Sequence, residues 1–127
     1  MEERRHAREK AFQVLYQLDI NQDASLESMY EAVDEDISQY AKSLIQGVVE
    51  KRGIIDKQLD EKLENWSLNR IGTVEKTVLR IALFEIIYIE DVPSKVAINE
   101  AVEIAKRFNE DKSGKFINGV LSKFMQE

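Results

Sequence analysis

The stretch that decides the fold is Val74-Glu75-Lys76-Thr77-Val78-Leu79-Arg80-Ile81-Ala82-Leu83-Phe84-Glu85-Ile86-Ile87-Tyr88-Ile89. Wound as a helix, it is apolar almost all round: Val78, Leu79, Ile81, Ala82, Leu83, Phe84, Ile86 and Ile87 point in nearly every direction. It runs past about ten residues, which is long for a strand. A helix that is apolar on every side belongs at the centre of a bundle. Ahead of it, Gly72-Thr73 reads as a turn and N-cap, with Glu75 well placed near the helix N-terminus. Behind it, Glu90, Asp91 and Pro93 end the helix, and Pro93 keeps Val92 extended.

Helical spacing continues on both sides. Toward the N-terminus, Ala7, Ala11, Val14, Leu15 and Leu18 make one buried face of a helix over about Glu3 to Asp19. Ser25 is placed to cap a second helix carrying Leu26, Met29, Tyr30 and Val33. A third is expected from about Ile37 toward Lys51, on the stripe Tyr40, Ala41, Leu44, Ile45, Val48 and Val49. Gly53 is a place for it to bend before it continues through Ile54, Ile55, Leu59 and Leu63. Toward the C-terminus, Ile98, Ala101, Val102, Ala105 and Phe108 point inward from a helix over about Ala97 to Phe108. A last helix begins near Lys112, with Phe116, Val120 and Phe124 in one row and Ile117 and Leu121 beside it. One proline and five glycines leave few breakers, so the fold class is all-α. A length of 127 residues fits one domain, with a subdivision expected, if any, at the aperiodic connection near 66–73.

Composition narrows the function. There is no cysteine, hence no disulfide framework or thiolate metal site. The one histidine, His6, lies in a basic terminal run, so Ser-His-Asp and Cys-His chemistry is not expected. The glycines at 47, 53, 72, 114 and 119 match no nucleotide-binding fingerprint. The chain therefore reads as neither an enzyme nor a carrier of a metal or cofactor. No apolar signal-peptide core follows Met1-Glu2-Glu3-Arg4-Arg5, and no apolar run approaches the roughly 20 residues of a membrane span. A cytoplasmic location is expected.

The formal charge of −6 repels phosphate, yet a local basic patch acts within a Debye length of roughly 8 Å and can override the sum. The acids concentrate in the middle of the chain and the cations at its ends. Arg4, Arg5, His6, Arg8 and Lys10 crowd the start, where cations oppose the helix dipole. Arg4 and Arg8 are one turn apart, an arrangement that suits phosphates and stacked bases, although a solvated N-terminal turn has the same composition. Lys112 and Lys115 flank Phe116 at a helix start; basic plus aromatic is a usual grip on single-stranded RNA, and a cap followed by a core phenylalanine looks the same. Glu85 falls in the stripe made by Val74, Val78 and Ile81, where a carboxylate must either pair internally or face a partner.

These segments carry a resemblance. Arg4-Arg5-His6-Ala7-Arg8-Glu9-Lys10-Ala11 with Leu15-Tyr16, the stretch Val74 to Glu85, Val96-Ala97-Ile98-Asn99-Glu100-Ala101-Val102-Glu103-Ile104-Ala105-Lys106-Arg107-Phe108, and Lys115-Phe116-Ile117-Asn118-Gly119-Val120-Leu121 resemble the NusB family of transcription antitermination factors. The resemblance covers essentially the whole chain and is most specific in its C-terminal segments. It implies two small packed bundles of about seven helices, and a bacterial protein that binds boxA RNA of nascent ribosomal transcripts. The implied partners are a small-subunit ribosomal protein, NusE, then other Nus factors and RNA polymerase, and some family members self-associate. Family RNA contacts would fall on Arg4, Arg5, Arg8, Tyr16, Lys115 and Phe116; Lys112, where some members carry an acid, adds attraction for phosphate. Glu85 matches a family glutamate at the ribosomal-protein interface. The alternative is a protein-only helical adaptor or homodimer in which RNA binding is secondary. NusB-like domains also precede rRNA methyltransferase domains, but a methyl-donor-binding region is not seen in this sequence.

Overall fold

The computed structural model describes residues 2–21, 23, 25, 27–28 and 37–125. Among these lie five α-helices: α1 (Glu2–Ile20), α2 (Gln39–Lys62), α3 (Thr73–Tyr88), α4 (Ser94–Phe108) and α5 (Asp111–Leu121). Two short 3-10 turns, Leu68–Arg70 and Ser122–Phe124, complete them, so the count is below the expected seven. Ser25 accepts a hydrogen bond at Oγ from the Ser28 amide (3.0 Å), as a cap should. The rest of that expected helix, Leu26, Met29, Tyr30 and Val33, lies outside the described residues.

Helix α3 is the hub. It touches all four other α-helices, and residues 77–85 are buried without a break. Helices α1, α2 and α3 pack mutually on one side, and α3, α4 and α5 on the other, so two three-helix groups share α3. One contiguous apolar cluster runs through both, from Ala11 and Leu15 through Leu44, Ile45, Leu79 and Leu83 to Ile117 and Leu121.

Several ends differ from the sequence reading, for local reasons. Ser38 Oγ accepts from the Ala41 amide (3.1 Å), so α2 starts at Gln39 rather than Ile37. Helix α3 is capped by Gly72 without a side-chain bond; Thr73 is already helical and its carbonyl accepts from the Thr77 hydroxyl (2.8 Å). Pro93 stands at the N-cap of α4, with φ −61° preset for helix entry, so that helix begins at Ser94, ahead of Ala97. After α2, Asn65 takes a left-handed backbone (φ 66°), which asparagine tolerates better than most residues. The Leu68 amide then donates to Asp60 Oδ1 (2.9 Å), tying the aperiodic connection back to α2.

Gly53 does not interrupt α2, and the two glycines of that helix do different work. A Cβ built on Gly47 would stand 2.1 Å from the Phe84 ring, so its absence lets α2 close on α3. A Cβ on Gly53 meets nothing within 4 Å. Gly53→Ala should therefore stabilise the protein by about 0.5–1 kcal/mol through helix propensity. Gly47→Ala should destabilise it by roughly 1–3 kcal/mol through overpacking. Urea denaturation of the two variants checks this; equal shifts would deny Gly47 its packing role.

Candidate nucleic-acid interface

The N-terminal cations do not share one environment. In helical phase Arg8 stands beside Ala11, Phe12 and Leu15, all buried, and Arg8 itself is 4% exposed. Its Nε donates to both oxygens of Glu85 (3.0 and 2.9 Å), which is 1% exposed on α3. The Tyr40 hydroxyl, from α2, donates to the same carboxylate (2.5 Å). Burial pushes the Glu85 carboxyl above the usual carboxylate range, while Tyr40 and Arg8 pull it back. Burial, with the carboxylate beside it, likewise raises the Tyr40 phenol and keeps it protonated. The Arg8–Glu85–Tyr40 contact thus joins α1, α2 and α3 at one point. Of the two readings open for Glu85, the internal pair is the one this geometry realises. Arg8 correspondingly offers almost no surface to a ligand, against the expectation of a solvent-facing contact, because its partner lies in the core.

Arg4 and Arg5 stay at the surface, but carboxylates hold them. Arg4 lies over the Tyr40 ring, 4.3 Å from its centroid, and donates to both oxygens of Asp91 (3.3 and 3.1 Å). Arg5 makes a two-pronged pair with Glu100 of α4 (2.9 and 2.7 Å). Glu100 also approaches Arg8 Nη1 at 3.7 Å, and Arg5 holds its carboxyl below the usual range. His6 is exposed. Tyr16 is half-buried and stacks on Phe12 with ring centroids 5.7 Å apart.

Helix α5 presents its cations differently. Lys112 and Lys115 are exposed on its first turns and have no intramolecular partner among the described residues. Their helix start is fixed from behind. The buried Ser113 hydroxyl donates to Glu75 of α3 (2.6 Å) and accepts from Asn109 Nδ2 (2.7 Å), which also donates to Glu75 (3.1 Å). Phe116 is half-buried and lines a groove with Trp66, Arg70, Ile71, Gly72 and Glu75. Trp66, 56% exposed, is the most open large apolar side chain there. On the other side of α5, Asn99, Val102, Lys106, Asp111, Lys115 and Asn118 line a groove of mixed polarity against α4.

Helix α4 lies between the two basic ends. Its Glu100 meets Arg5, its Arg107 donates to Glu9 of α1 (2.9 Å), and its Lys106 side chain covers Gly114 of α5. The face running from α1 over α4 to α5 is therefore a strip of mixed charge, not a uniformly basic one.

Five helices around one apolar hub have close parallels. The family model described as NusB family matches residues 5–126. The chain belongs to the NusB family. The transcription antitermination protein NusB of Oceanobacillus iheyensis is 48% identical over 96% of this chain and 98% of its own length. That of Bacillus subtilis is 45% identical over 94% of this chain and 92% of its own. Among solved structures, Thermotoga maritima NusB superposes with a TM-score of 0.86 at 40% identity, covering 98% of this chain and 91% of that one. A crystal structure of the antitermination factors NusB and NusE in complex with double-stranded RNA gives 0.84 at 30% identity, covering 97% and 96%. The fold class is thus that of the NusB structures, and among the described residues no helix is long and apolar enough to cross a membrane.

Two features of this NusB family member escaped the sequence reading. Arg80, in the middle of the apolar α3, is buried and pairs with Asp56 through two bonds (2.8 and 3.0 Å), with Asp19 and Arg52 completing the cluster. Glu75, which the sequence places only as a helix-dipole partner, anchors α5. Helical phase held a signal for the first and also for Arg8: each is a cation on an otherwise apolar face, which demands a buried acid.

Breaking the central pair should be costly. Arg8→Ala leaves Glu85 buried without its cation and should destabilise by about 3–5 kcal/mol. Arg5→Ala, which removes a guanidinium at the surface, should cost far less. Chemical denaturation of the two variants compares them directly; similar small losses would mean that Arg8 is not structurally bound to Glu85.

Proposed function

We propose that this chain is an RNA-binding transcription antitermination factor. It binds single-stranded boxA RNA of nascent ribosomal transcripts together with NusE, and the pair suppresses termination by RNA polymerase. The observation that carries this is the start of α5. Lys112 and Lys115 are exposed there beside Phe116, with no internal partner among the described residues. The likeness to NusB in the NusB–NusE–RNA crystal structure supports it over nearly the whole chain. Lysines on phosphates and a ring against a base are the elements of a grip on single-stranded RNA. Arg4, Arg5 and Tyr16 extend it along α1. Arg8 and Glu85 serve it from inside, by fixing the helix that carries Arg4 and Arg5. The action is binding and recruitment in the cytoplasm, with no reaction catalysed, and the other Nus factors and polymerase join the assembled complex.

The groove of Trp66, Arg70, Ile71 and Phe116 is the face we assign to the protein partner, in place of the buried Glu85. An exposed tryptophan beside an arginine is the usual composition of an interface anchor. It borders Phe116, so RNA and partner would meet along one edge.

Fluorescence anisotropy of a labelled boxA RNA tests the reading, with and without NusE and against a scrambled sequence. Lys112→Ala with Lys115→Ala should weaken RNA binding at least tenfold, taking each phosphate contact as roughly 1 kcal/mol, and should flatten the log–log salt dependence by about 0.7 per contact. Trp66→Ala should leave RNA binding alone intact and remove the gain from the partner. Equal, weak binding to both RNAs with or without NusE would favour the protein-only adaptor or homodimer.

A further inference from the structure

On the reading that this face binds RNA, we propose that Glu100 is a built-in competitor for the RNA backbone, a carboxylate occupying the position on Arg5 that a phosphate would take. Arg5 is 57% exposed, so its guanidinium is within reach of a ligand. Its Nε and Nη2 are nevertheless spent on the two oxygens of Glu100, at 2.9 and 2.7 Å. That two-pronged geometry is the one by which arginine receives a phosphate. Glu100 is only 14% exposed and lies 3.7 Å from Arg8, which is itself fixed in the core. The acid is thus anchored from the protein side, and Arg5 holds it ionised. A phosphate that engages Arg5 must displace this carboxylate or lie against it. The exchange trades one charge-assisted pair for another and returns little. Arg4 is held the same way by Asp91, but that pair is exposed on both sides and is easily opened. Lys112 and Lys115 face no such competitor among the described residues.

The sign of the effect is opposite to that of a residue that merely orients Arg5 for RNA. Glu100→Gln keeps the size and a hydrogen bond to Arg5 while removing the competing charge. It should tighten binding of a labelled single-stranded RNA by about two- to fivefold. It should also steepen the log–log salt dependence by about 0.7, one added phosphate contact. Arg5→Ala combined with Glu100→Gln should abolish the gain. Glu61→Gln, which makes the same change of net charge on exposed α2, should leave affinity where it was. Circular dichroism confirms that each variant is folded, and Glu100→Asp, which draws the carboxylate back from Arg5 while keeping its charge beside Arg8, supplies the same test if Glu100→Gln does not fold. Unchanged or weaker binding by folded Glu100→Gln, with Lys112→Ala/Lys115→Ala still impaired, overturns the competitor and leaves the RNA-binding reading in place. An equal gain in Glu61→Gln overturns it as well, by reducing the effect to net charge. RNA binding indifferent to every one of these variants, the lysine pair included, would remove the RNA-binding reading itself.

Discussion

The buried contact of Arg8 with Glu85, joined by Tyr40, is the constraint on which the rest of the arrangement depends. A charge inside an apolar cluster is tolerated only when paired and hydrogen-bonded. Here the acid comes from α3, the guanidinium from α1 and the phenol from α2, so the three helices can meet in one register only. The surface follows from it. With Arg8 turned inward, Arg4, one turn earlier on α1, comes to rest on the outer side of Tyr40, and Arg5 turns toward α4. Every exposed feature of the N-terminal end is thereby indexed to a buried ion pair.

Helix α3 makes such a pair possible. Its all-round apolar surface lets four helices pack on it, while three of its four charged residues each find a specific partner: Arg80 on Asp56, Glu85 on Arg8, and Glu75 on Ser113 and Asn109 of the α5 start. Apolar packing alone is permissive about register and rotation. The charged exceptions on α3 restrict it, and Glu75 does so at the place where Lys112 and Lys115 leave the protein.

The central helix and the faces of α1, α2 and α4 were legible in the sequence because apolar spacing is a local signal. The helix starts were less so: Gly72 and Pro93 act through backbone geometry, leaving no side-chain cap to read. The candidate site divided along the same line. Lys112, Lys115 and Phe116 could be placed because a helix start exposes what lies on its outer side. The role of Arg8 could not be read from its own segment, where it is one cation among several, since its partner is 77 residues away. Glu85, alone on an apolar stripe, was the better clue. Two opposite charges on the apolar faces of two different helices are each other's natural partners, and that inference needs both helices at once.

On the function proposed above, the same pairing would let a protein of net charge −6 hold RNA while attracting other polyanions little. Arg4, Arg5 and Arg107 are each matched by a carboxylate of the fold, so the long-range field of the strip is small. Along that strip, Lys112 and Lys115 of α5 have no carboxylate partner among the described residues, and a phosphate chain gains more freely there. On the function proposed above, affinity must then come from short-range terms, stacking on Phe116 and contacts with base edges, which depend on sequence where counterion release does not. It must also come from a second protein that adds surface beside the RNA. Weak intrinsic attraction for phosphate is therefore what makes binding conditional on both the right RNA and the right partner.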